Sequence, residues 1–405
     1  MHLQSSNLIC WLSITSIRGA AGITFENVEH TFDTLQTWYN SSTGLWMPST
    51  GWWNSANCLT MIANLAAIDD KIKDRTKDLW QEVFNNAAEY NKQMTQAHGA
   101  FWRRKLPLEL EYRDATDEDT ANVGFLNGYY DDEGWWALAW IAVYDLTLDQ
   151  KYLDKAVQVF DDMHNAWNTT PVGGVWWDRS NTYVNAISNE LHFSVAAHLA
   201  NRRPDQKPYY VDVALNSWLW IYGSGLINAQ SNIEDGLWAK DETGLNLPKV
   251  WSYNQGVILT ALTELDQALQ QPLYTAMAKL IADAALANFT SMLDTHDPDY
   301  IIHESCEPTC DDTSSLFKGI FVRSLARLHA VAPEDRYGIV LMKNAESLWR
   351  NVDQWNRLGS VWNNTTVGAG ASAQCAGMDL FVGALGTLGE WEGDGVYEDG
   401  KAHSQ

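Results

Sequence analysis

The chain has 405 residues, which is enough for one large barrel as well as for two or three smaller domains. It has 27 Lys and Arg residues against 51 Asp and Glu residues, so its formal net charge is −24. This charge argues against nucleic acid or an anionic membrane as a partner and is compatible with a neutral substrate. Many of the 21 tryptophans stand beside Gly, Asn or Asp in loop-like segments, which suggests that some of them line a ligand groove.

Residues 1–22 resemble a signal peptide. An apolar stretch begins at Leu8 and small residues follow it, although no Lys or Arg precedes it. The stretch is too short to span a membrane, and the polar, acidic tail of residues 393–405 has no lipid-anchor signal. We therefore expect a secreted, extracellular protein without a membrane anchor, with association with a cell wall as an alternative. Five N-x-S/T sequons agree with secretion and are predicted glycosylation sites: Asn40, Asn168, Asn288, Asn363 and Asn364.

One unit then recurs along the chain at intervals of roughly 60 to 80 residues. Each unit has an amphipathic helix, a loop rich in Gly, Trp and Asp, and a second helix that is apolar on nearly all faces. The predicted amphipathic helices cover 27–38, 77–94, 150–167, 209–222, 273–293 and 333–355. The predicted apolar helices cover 55–68, 134–146, 189–200, 255–269, 315–330 and 373–388.

The spacing of apolar residues separates the two sets of helices. In 77–94 they form one stripe that includes Trp80, Val83 and Phe84, which is typical of an outer helix with one wet face. In 134–146 they surround the helix, which indicates a buried helix. Six buried helices inside six amphipathic ones predict an all-α fold, an (α/α)6 toroid that spans residues 23–392 as one domain.

The cysteines are predicted to form two disulfides. Removal of the leader would leave four of the five cysteines, and an oxidising compartment favours disulfides over a zinc site at His303. Cys306 and Cys310 can close a small loop. In a closed ring the first and last inner helices are neighbours, so we expect a Cys58–Cys375 bridge at their common end. We predict no metal and no cofactor.

The loops that precede the inner helices should gather at one mouth of the ring, where helix N-termini favour anionic groups. The most informative of them holds the adjacent carboxyl groups of Asp131 and Asp132 between aromatic residues. Like charges this close raise one pKa, and aromatic walls suit sugar rings. A pair of N-capping residues is the competing interpretation. The candidate substrate-binding residues at this mouth are Asn54, Tyr130, Trp136, Trp177, Asn189, Asp235, Tyr253 and Asn254.

The run from Tyr130 to Trp140 resembles the catalytic segment of glycoside hydrolase family 76, whose members are endo-acting α-1,6-mannanases with an (α/α)6 barrel. The segments Gly51–Asn57 and Tyr253–Gly256 also resemble loop motifs of that family, and the similarity covers roughly residues 25 to 390. The resemblance implies a retaining mannan endo-1,6-α-mannosidase. In such an enzyme Asp131 is the nucleophile, Asp132 is the general acid and base, and Asp235 binds a mannose hydroxyl.

Three other functions compete with hydrolysis of α-mannan by a monomeric enzyme. A cell-wall transglycosylase would pass the same covalent intermediate to a sugar hydroxyl. Fungal relatives of that type have a lipid-anchor tail and a motif nearer to Asn-Asp-Asp-Gln, whereas this chain has Tyr130 and Glu133 at the outer positions. A non-catalytic glycan-binding protein would not need the carboxyl pair. A metal-dependent terpene-type cyclase is disfavoured because Trp135 occupies the fifth position of its motif.

Overall fold

The computed structural model describes residues 23–46, 51–102, 123–239, 248–292, 299–364 and 367–387. The predicted leader and acidic tail lie outside these ranges. No helix within them is both long and apolar enough to cross a membrane. The α-helices, in chain order, are α1 (Phe25–Gln36), α2 (Trp52–Ile68), α3 (Asp70–Thr76), α4 (Leu79–Trp102), α5 (Tyr130–Thr147), α6 (Gln150–Asn165), α7 (Ala186–Arg202), α8 (Lys207–Ser224), α9 (Ser252–Leu269), α10 (Leu273–Phe289), α11 (Phe317–Val331), α12 (Asp335–Arg350) and α13 (Ala371–Leu385).

Two short antiparallel strand pairs accompany the helices. Strand β1 (Tyr39–Asn40) pairs with β2 (Leu45–Trp46), and β3 (Tyr183–Asn185) pairs with β4 (Gly236–Ala239). The second pair joins the loop before α7 to the loop before α9, because Val184 lies opposite Trp238. It therefore connects two of the loops that were predicted to meet at the mouth.

Helices α2, α5, α7, α9, α11 and α13 form a closed inner ring. Each packs against the next along the chain, and α13 packs against α2. A hydrogen bond crosses this seam, because Asn54 Nδ2 donates to Ser372 Oγ over 3.2 Å. Gln374 Nε2 of α13 also donates to the Thr31 carbonyl of outer helix α1 over 2.9 Å. The predicted (α/α)6 toroid is confirmed.

Burial follows the predicted division between outer and inner helices. Outer helix α6 buries one stripe, whereas inner helix α7 is buried along nearly its whole length. The inner helices approach each other so closely that some contacts admit only glycine. A Cβ atom on Gly319 of α11 would lie 2.4 Å from the Cα atom of Ala376 in α13.

Four of the six inner helices begin about one turn earlier than predicted, whereas α11 begins later, at Phe317. Helices α5, α7 and α9 begin at Tyr130, Ala186 and Ser252, not at residues 134, 189 and 255. Polar residues in these first turns hide the helical pattern, but they suit a helix N-terminus, where free N–H groups favour acceptors and negative charge. Asp131 and Asp132 therefore lie within the first turn of α5 and not in the loop before it.

A polar side chain in the first turn of several inner helices holds the main chain of the preceding loop. Asn189 accepts from Val175 N over 2.7 Å and donates to its carbonyl over 3.0 Å. Gln255 bonds to the N–H and carbonyl of Ile233 in the same way. We call these side chains the anchor residues; each is the fourth residue of its helix: Glu133, Asn189, Gln255 and Gln374.

The disulfide between Cys306 and Cys310 is present, as predicted. The predicted bridge between Cys58 and Cys375 is wrong: both are free, buried thiols, although they are close neighbours at the seam. Burial and the neighbouring Cys58 raise the pKa of the Cys375 thiol well above its usual range. The thiolate that disulfide formation requires is therefore disfavoured there.

Candidate active site

The mouth is built around the first turn of α5, which a neighbouring loop holds in place. Tyr130 N donates to the carbonyl oxygen of Trp177 over 2.9 Å. Arg179 N donates to the carbonyl oxygen of Gly128 over 3.0 Å. These main-chain bonds tie the loop before α7 to the start of α5, so that the side chain of Trp177 faces the carboxyl pair.

A side-chain hydrogen bond holds one carboxyl oxygen of Asp131, and the other oxygen accepts none from the residues that the structure describes. The indole Nε1 of Trp177 donates to Asp131 Oδ2 over 3.0 Å. The other oxygen, Oδ1, is buried and has no partner among the described residues. Burial raises the pKa of Asp131 well above its usual range, and the charge of Asp132 adds to this effect, whereas the bond from Trp177 opposes it.

Asp132 has a separate hydrogen-bond donor, because Asn127 Nδ2 donates to its Oδ2 over 2.6 Å. Burial and the charge of Glu133 together raise the pKa of Asp132 to about 7, although the bond from Asn127 opposes this. Two adjacent carboxyl groups with raised pKa values titrate as a pair. Near neutral pH such a pair can hold one proton, which leaves one group charged and the other ready to donate.

Glu133 supports the pair from beneath. Its Oε1 accepts from the N–H groups of Asn127 over 3.1 Å and Gly128 over 2.9 Å, and from Arg179 over 3.4 Å. Burial raises the pKa of Glu133 to about 8, although the guanidinium of Arg179 opposes this. Arg179 also bonds to Asp162 of α6. Neither Arg179 nor Asn127 was predicted, because only the folded loops bring them to the carboxyl groups.

A second wall of the mouth contains Asp235. Tyr183 Oη donates to Asp235 Oδ2 over 2.8 Å. Burial raises the pKa of Asp235, and the nearby side chains of Tyr183, Asn254 and Tyr253 favour its charged form. Tyr253 stacks on Phe317 with 4.0 Å between ring centroids. Both the amide nitrogen and the amide oxygen of Asn254 are buried and lack a well-formed hydrogen bond to any described residue.

Of the predicted residues, Trp177 bonds to the carboxyl pair directly. Asp235, Tyr253 and Asn254 lie together in the second wall, where Tyr253 is within electrostatic reach of Asp131. Tyr130 lies at the base of the site, with its ring 5.1 Å from the guanidinium carbon of Arg179. The other three predicted residues, Asn54, Trp136 and Asn189, do not face the site.

The prediction for Trp136 is wrong, because its indole packs into an aromatic cluster with Trp52, Phe125 and Trp140. Asn189 makes hydrogen bonds to the N–H and the carbonyl of Val175, so it is an anchor residue and not a substrate contact. Asn54 is also buried and engaged, because it bonds to Gly51 N, the Asp312 carbonyl and Ser372.

Half-buried tryptophans that were not predicted as site residues border the mouth. Trp53 stacks on Trp135 with 5.8 Å between centroids, and Trp251 meets Phe317 edge-on at 5.3 Å. Partly exposed aromatic faces beside carboxyl groups suit the apolar faces of sugar rings. The only signal in the sequence was the loop-like setting of Trp53. No three His, Cys, Asp or Glu side chains in the described ranges are arranged to hold a metal ion.

The arrangement of a paired carboxyl group, aromatic walls and amide groups at the mouth of an (α/α)6 ring defines a glycosidase-type site. Residues 16–387 match the model of glycosyl hydrolase family 76. The chain therefore belongs to this family.

Curated fungal relatives agree with this assignment. The mannan endo-1,6-alpha-mannosidase DFG5 of Candida albicans is 27% identical over 53% of this chain and 50% of its own length. The mannan endo-1,6-alpha-mannosidase DCW1 of Saccharomyces cerevisiae is 26% identical over 68% of this chain and 58% of its own length. The chain thus spans about half the length of the curated relatives it matches.

Solved structures share the fold. An alpha-1,6-mannanase, GH76A of Salegentibacter sp. HEL1_6, was solved as an inactive variant with two consecutive aspartates changed to asparagine, in complex with alpha-1,6-mannotriose. It has a TM-score of 0.69 and 21% identity, over 90% of this chain and 99% of that one.

Proposed function

We propose that this protein is a retaining endo-α-1,6-mannanase that hydrolyses the backbone of α-mannan. The observation that carries the proposal is the carboxyl pair of Asp131 and Asp132. Each has its own hydrogen-bond donor and a raised pKa, and both stand at a mouth with aromatic walls. The inactive mannanase variant that binds α-1,6-mannotriose, changed at two consecutive aspartates, supports the same roles here.

The chemistry proceeds in two steps. In the first, the charged carboxylate of Asp131 attacks the anomeric carbon while Asp132 donates its proton to the glycosidic oxygen, so the leaving sugar departs as an alcohol. In the second, Asp132 takes a proton from water, which attacks the same carbon and releases Asp131. Burial raises the pKa values of both carboxyl groups, so the pair retains a proton near neutral pH, and we assign that proton to Asp132 by resemblance to the family.

The test uses linear α-1,6-mannan and three variants. Asp131→Asn and Asp132→Asn should each lose release of manno-oligosaccharides while circular dichroism remains that of the wild type. Asp161→Asn is the matched control: it changes the first residue of another adjacent pair, on an exposed outer-helix face, and should keep full activity. Turnover by either of the first two variants at the wild-type rate would refute the site assignment.

Product stereochemistry tests the mechanism. NMR spectra taken during the first turnovers should contain the α-anomer at the new reducing end, because two inversions at one carbon give net retention. A β-anomer as first product would refute the nucleophilic role. Products longer than the substrate, formed at low water-to-sugar ratio, would assign the chain to transglycosylation instead.

We further propose that the protein is secreted as a monomeric glycoprotein. The side chains of all five predicted glycosylation sites are exposed, which the attachment of a glycan requires. Expression in a eukaryotic secretory host, followed by enzymatic removal of N-glycans, should lower the apparent mass. A protein found only inside the cells, with no mass shift, would contradict the proposal.

A further inference from the structure

Glu190 of α7 has an unusual setting. The side chain has no exposed surface, and neither carboxyl oxygen has a hydrogen-bond partner among the described residues. Other buried acids have partners: Glu264 bonds to Arg202, and Asp379 to Arg323. Buried polar groups are nearly always hydrogen-bonded, so an isolated carboxyl group needs an explanation.

The position of Glu190 connects it to the active-site wall. Ala186 N, at the start of α7, donates to the main-chain carbonyl of Asp235 over 2.8 Å. Glu190 follows Ala186 by four residues and so lies on the same helix face, one turn deeper. Glu190 lies within electrostatic reach of Asp235, and Tyr253 lies within that of both Glu190 and Asp131.

Packing of the inner ring does not require an acid at this place. Glu190 follows an anchor residue directly, and the residues that follow the other three anchors are Gly134, Gly256 and Cys375. The first two are small because the next helix is close: a Cβ atom on Gly256 would lie 2.7 Å from the Cα atom of Phe321. A carboxyl group in α7 therefore departs from the pattern that packing sets.

We propose that Glu190 is a substrate-binding residue that holds a hydroxyl group of the sugar bound between Asp131 and Asp235. This inference rests on the proposed function, since it takes the substrate to be a mannose-containing glycan. A protonated carboxyl group donates from one oxygen and accepts at the other, which matches a sugar hydroxyl group or a vicinal pair. Burial raises the pKa of Glu190 well above its usual range, and the charge of Asp235 adds to this, so its setting favours the neutral form.

The test compares two substitutions at this position. Glu190→Gln keeps a donor and an acceptor in nearly the same shape, and Glu190→Met fills the space without either. Affinity for α-1,6-mannotriose is measured by calorimetry with Asp131→Asn and Asp132→Asn also present, and kcat and KM are measured with the active chain. We expect E190Q to stay within about threefold of the wild type and E190M to lose tenfold or more in affinity, since discrimination by one hydrogen bond is of this size.

If Glu190 had only a structural role, E190M would have a lower melting temperature and an unchanged affinity. The proposal predicts instead that replacing this unpartnered buried acid by an apolar side chain leaves the melting temperature unchanged or higher. A folded E190M variant with wild-type affinity and kcat/KM would overturn the inference and leave the proposed function intact. If E190M does not fold, a tenfold loss of affinity in E190Q would overturn it. A wild-type chain that neither cleaves nor binds α-mannan would overturn both.

Discussion

The separate hydrogen-bond donors of Asp131 and Asp132 allow the roles of the two groups to be tested through pH. The side-chain amide of Asn127 donates to Asp132, and the indole of Trp177 donates to Asp131. Each donor stabilises the charged form of its own carboxyl group and lowers its pKa. Asn127→Ala should therefore raise the pKa of Asp132, and Trp177→Phe should raise that of Asp131.

The size of the shift follows from the energy of the lost bond. A hydrogen bond to a charged group contributes about 1.5–3 kcal/mol, and one pKa unit corresponds to about 1.4 kcal/mol. Both groups keep partial access to solvent, which can replace some of the lost bond, so we expect a shift of about one unit. For Asp132 this moves the pKa from about 7 towards 8.

The assay is kcat/KM for a manno-oligosaccharide as a function of pH, which reports ionisations of the free enzyme. Loss of activity at high pH reports deprotonation of the general acid, and loss at low pH reports protonation of the nucleophile. Asn127→Ala should move the alkaline limb upward, and Trp177→Phe should move the acid limb upward. Asn216→Ala, on an exposed outer-helix face, should move neither. If Asn127→Ala moved the acid limb and Trp177→Phe the alkaline limb, the proposed roles of the two aspartates would be exchanged.

Three further predictions concern stability. Glu133→Leu leaves two loop N–H groups without their acceptor and Arg179 with Asp162 alone, and it should cost about 1–3 kcal/mol for each unpaired N–H in urea unfolding; Glu133→Gln keeps an acceptor and should cost less, and equal losses would refute the anchoring role. Gly319→Ala forces a contact with the backbone of α13 and should destabilise by about 1–3 kcal/mol, whereas Gly223→Ala, with nothing within 4 Å, should be neutral or stabilising; the reverse order would count against the packing argument. Burial opposes ionisation of Glu264, but Arg202, His198 and Arg327 outweigh it and lower the pKa of Glu264. Its contribution to the free energy of unfolding is therefore complete above the unfolded pKa of about 4.3 and falls as the solution is acidified below that pH. The difference in unfolding free energy between wild type and Glu264→Gln should accordingly shrink from pH 6 to pH 3, and a constant difference would refute the assignment.

The ring itself was predictable because it depends on periodicity. Outer helices such as α6 bury one stripe, and inner helices such as α7 are buried all round, so both classes are visible in the order of apolar residues. The adjacent carboxyl groups were predictable because their aromatic setting is local in sequence. The helix starts were not predicted well, since polar residues in a first turn interrupt the apolar pattern without interrupting the helix.

The supporting residues depend on loop conformation and could not be predicted. Asn127 and Arg179 reach Asp132 and Glu133 only because the loops before α5 and α7 are bonded to each other. The amide of Asn189 was taken for a substrate contact. A polar residue in an apolar helix gives the same pattern whether it faces a ligand or the main chain of a loop. Trp136 was wrongly predicted to bind substrate for a related reason. Adjacent tryptophans on one helix point in different directions, and the sequence does not show which of them faces the mouth.

The anchor residues connect these observations. In α7, α9 and α13 the anchor is a neutral amide that holds a loop through its main chain. In α5 the anchor is Glu133, an acid whose charge also raises the pKa of Asp132 beside it. In α7 the residue after the anchor is Glu190, whereas the residues after the other three anchors are small or only weakly polar. Real folds depart from their own packing rules mainly where function requires it. The two departures are Glu133, which lies beside the carboxyl pair, and Glu190, which lies near the wall that contains Asp235. Comparing the inner helices with one another therefore indicates which of their residues serve chemistry and which serve packing.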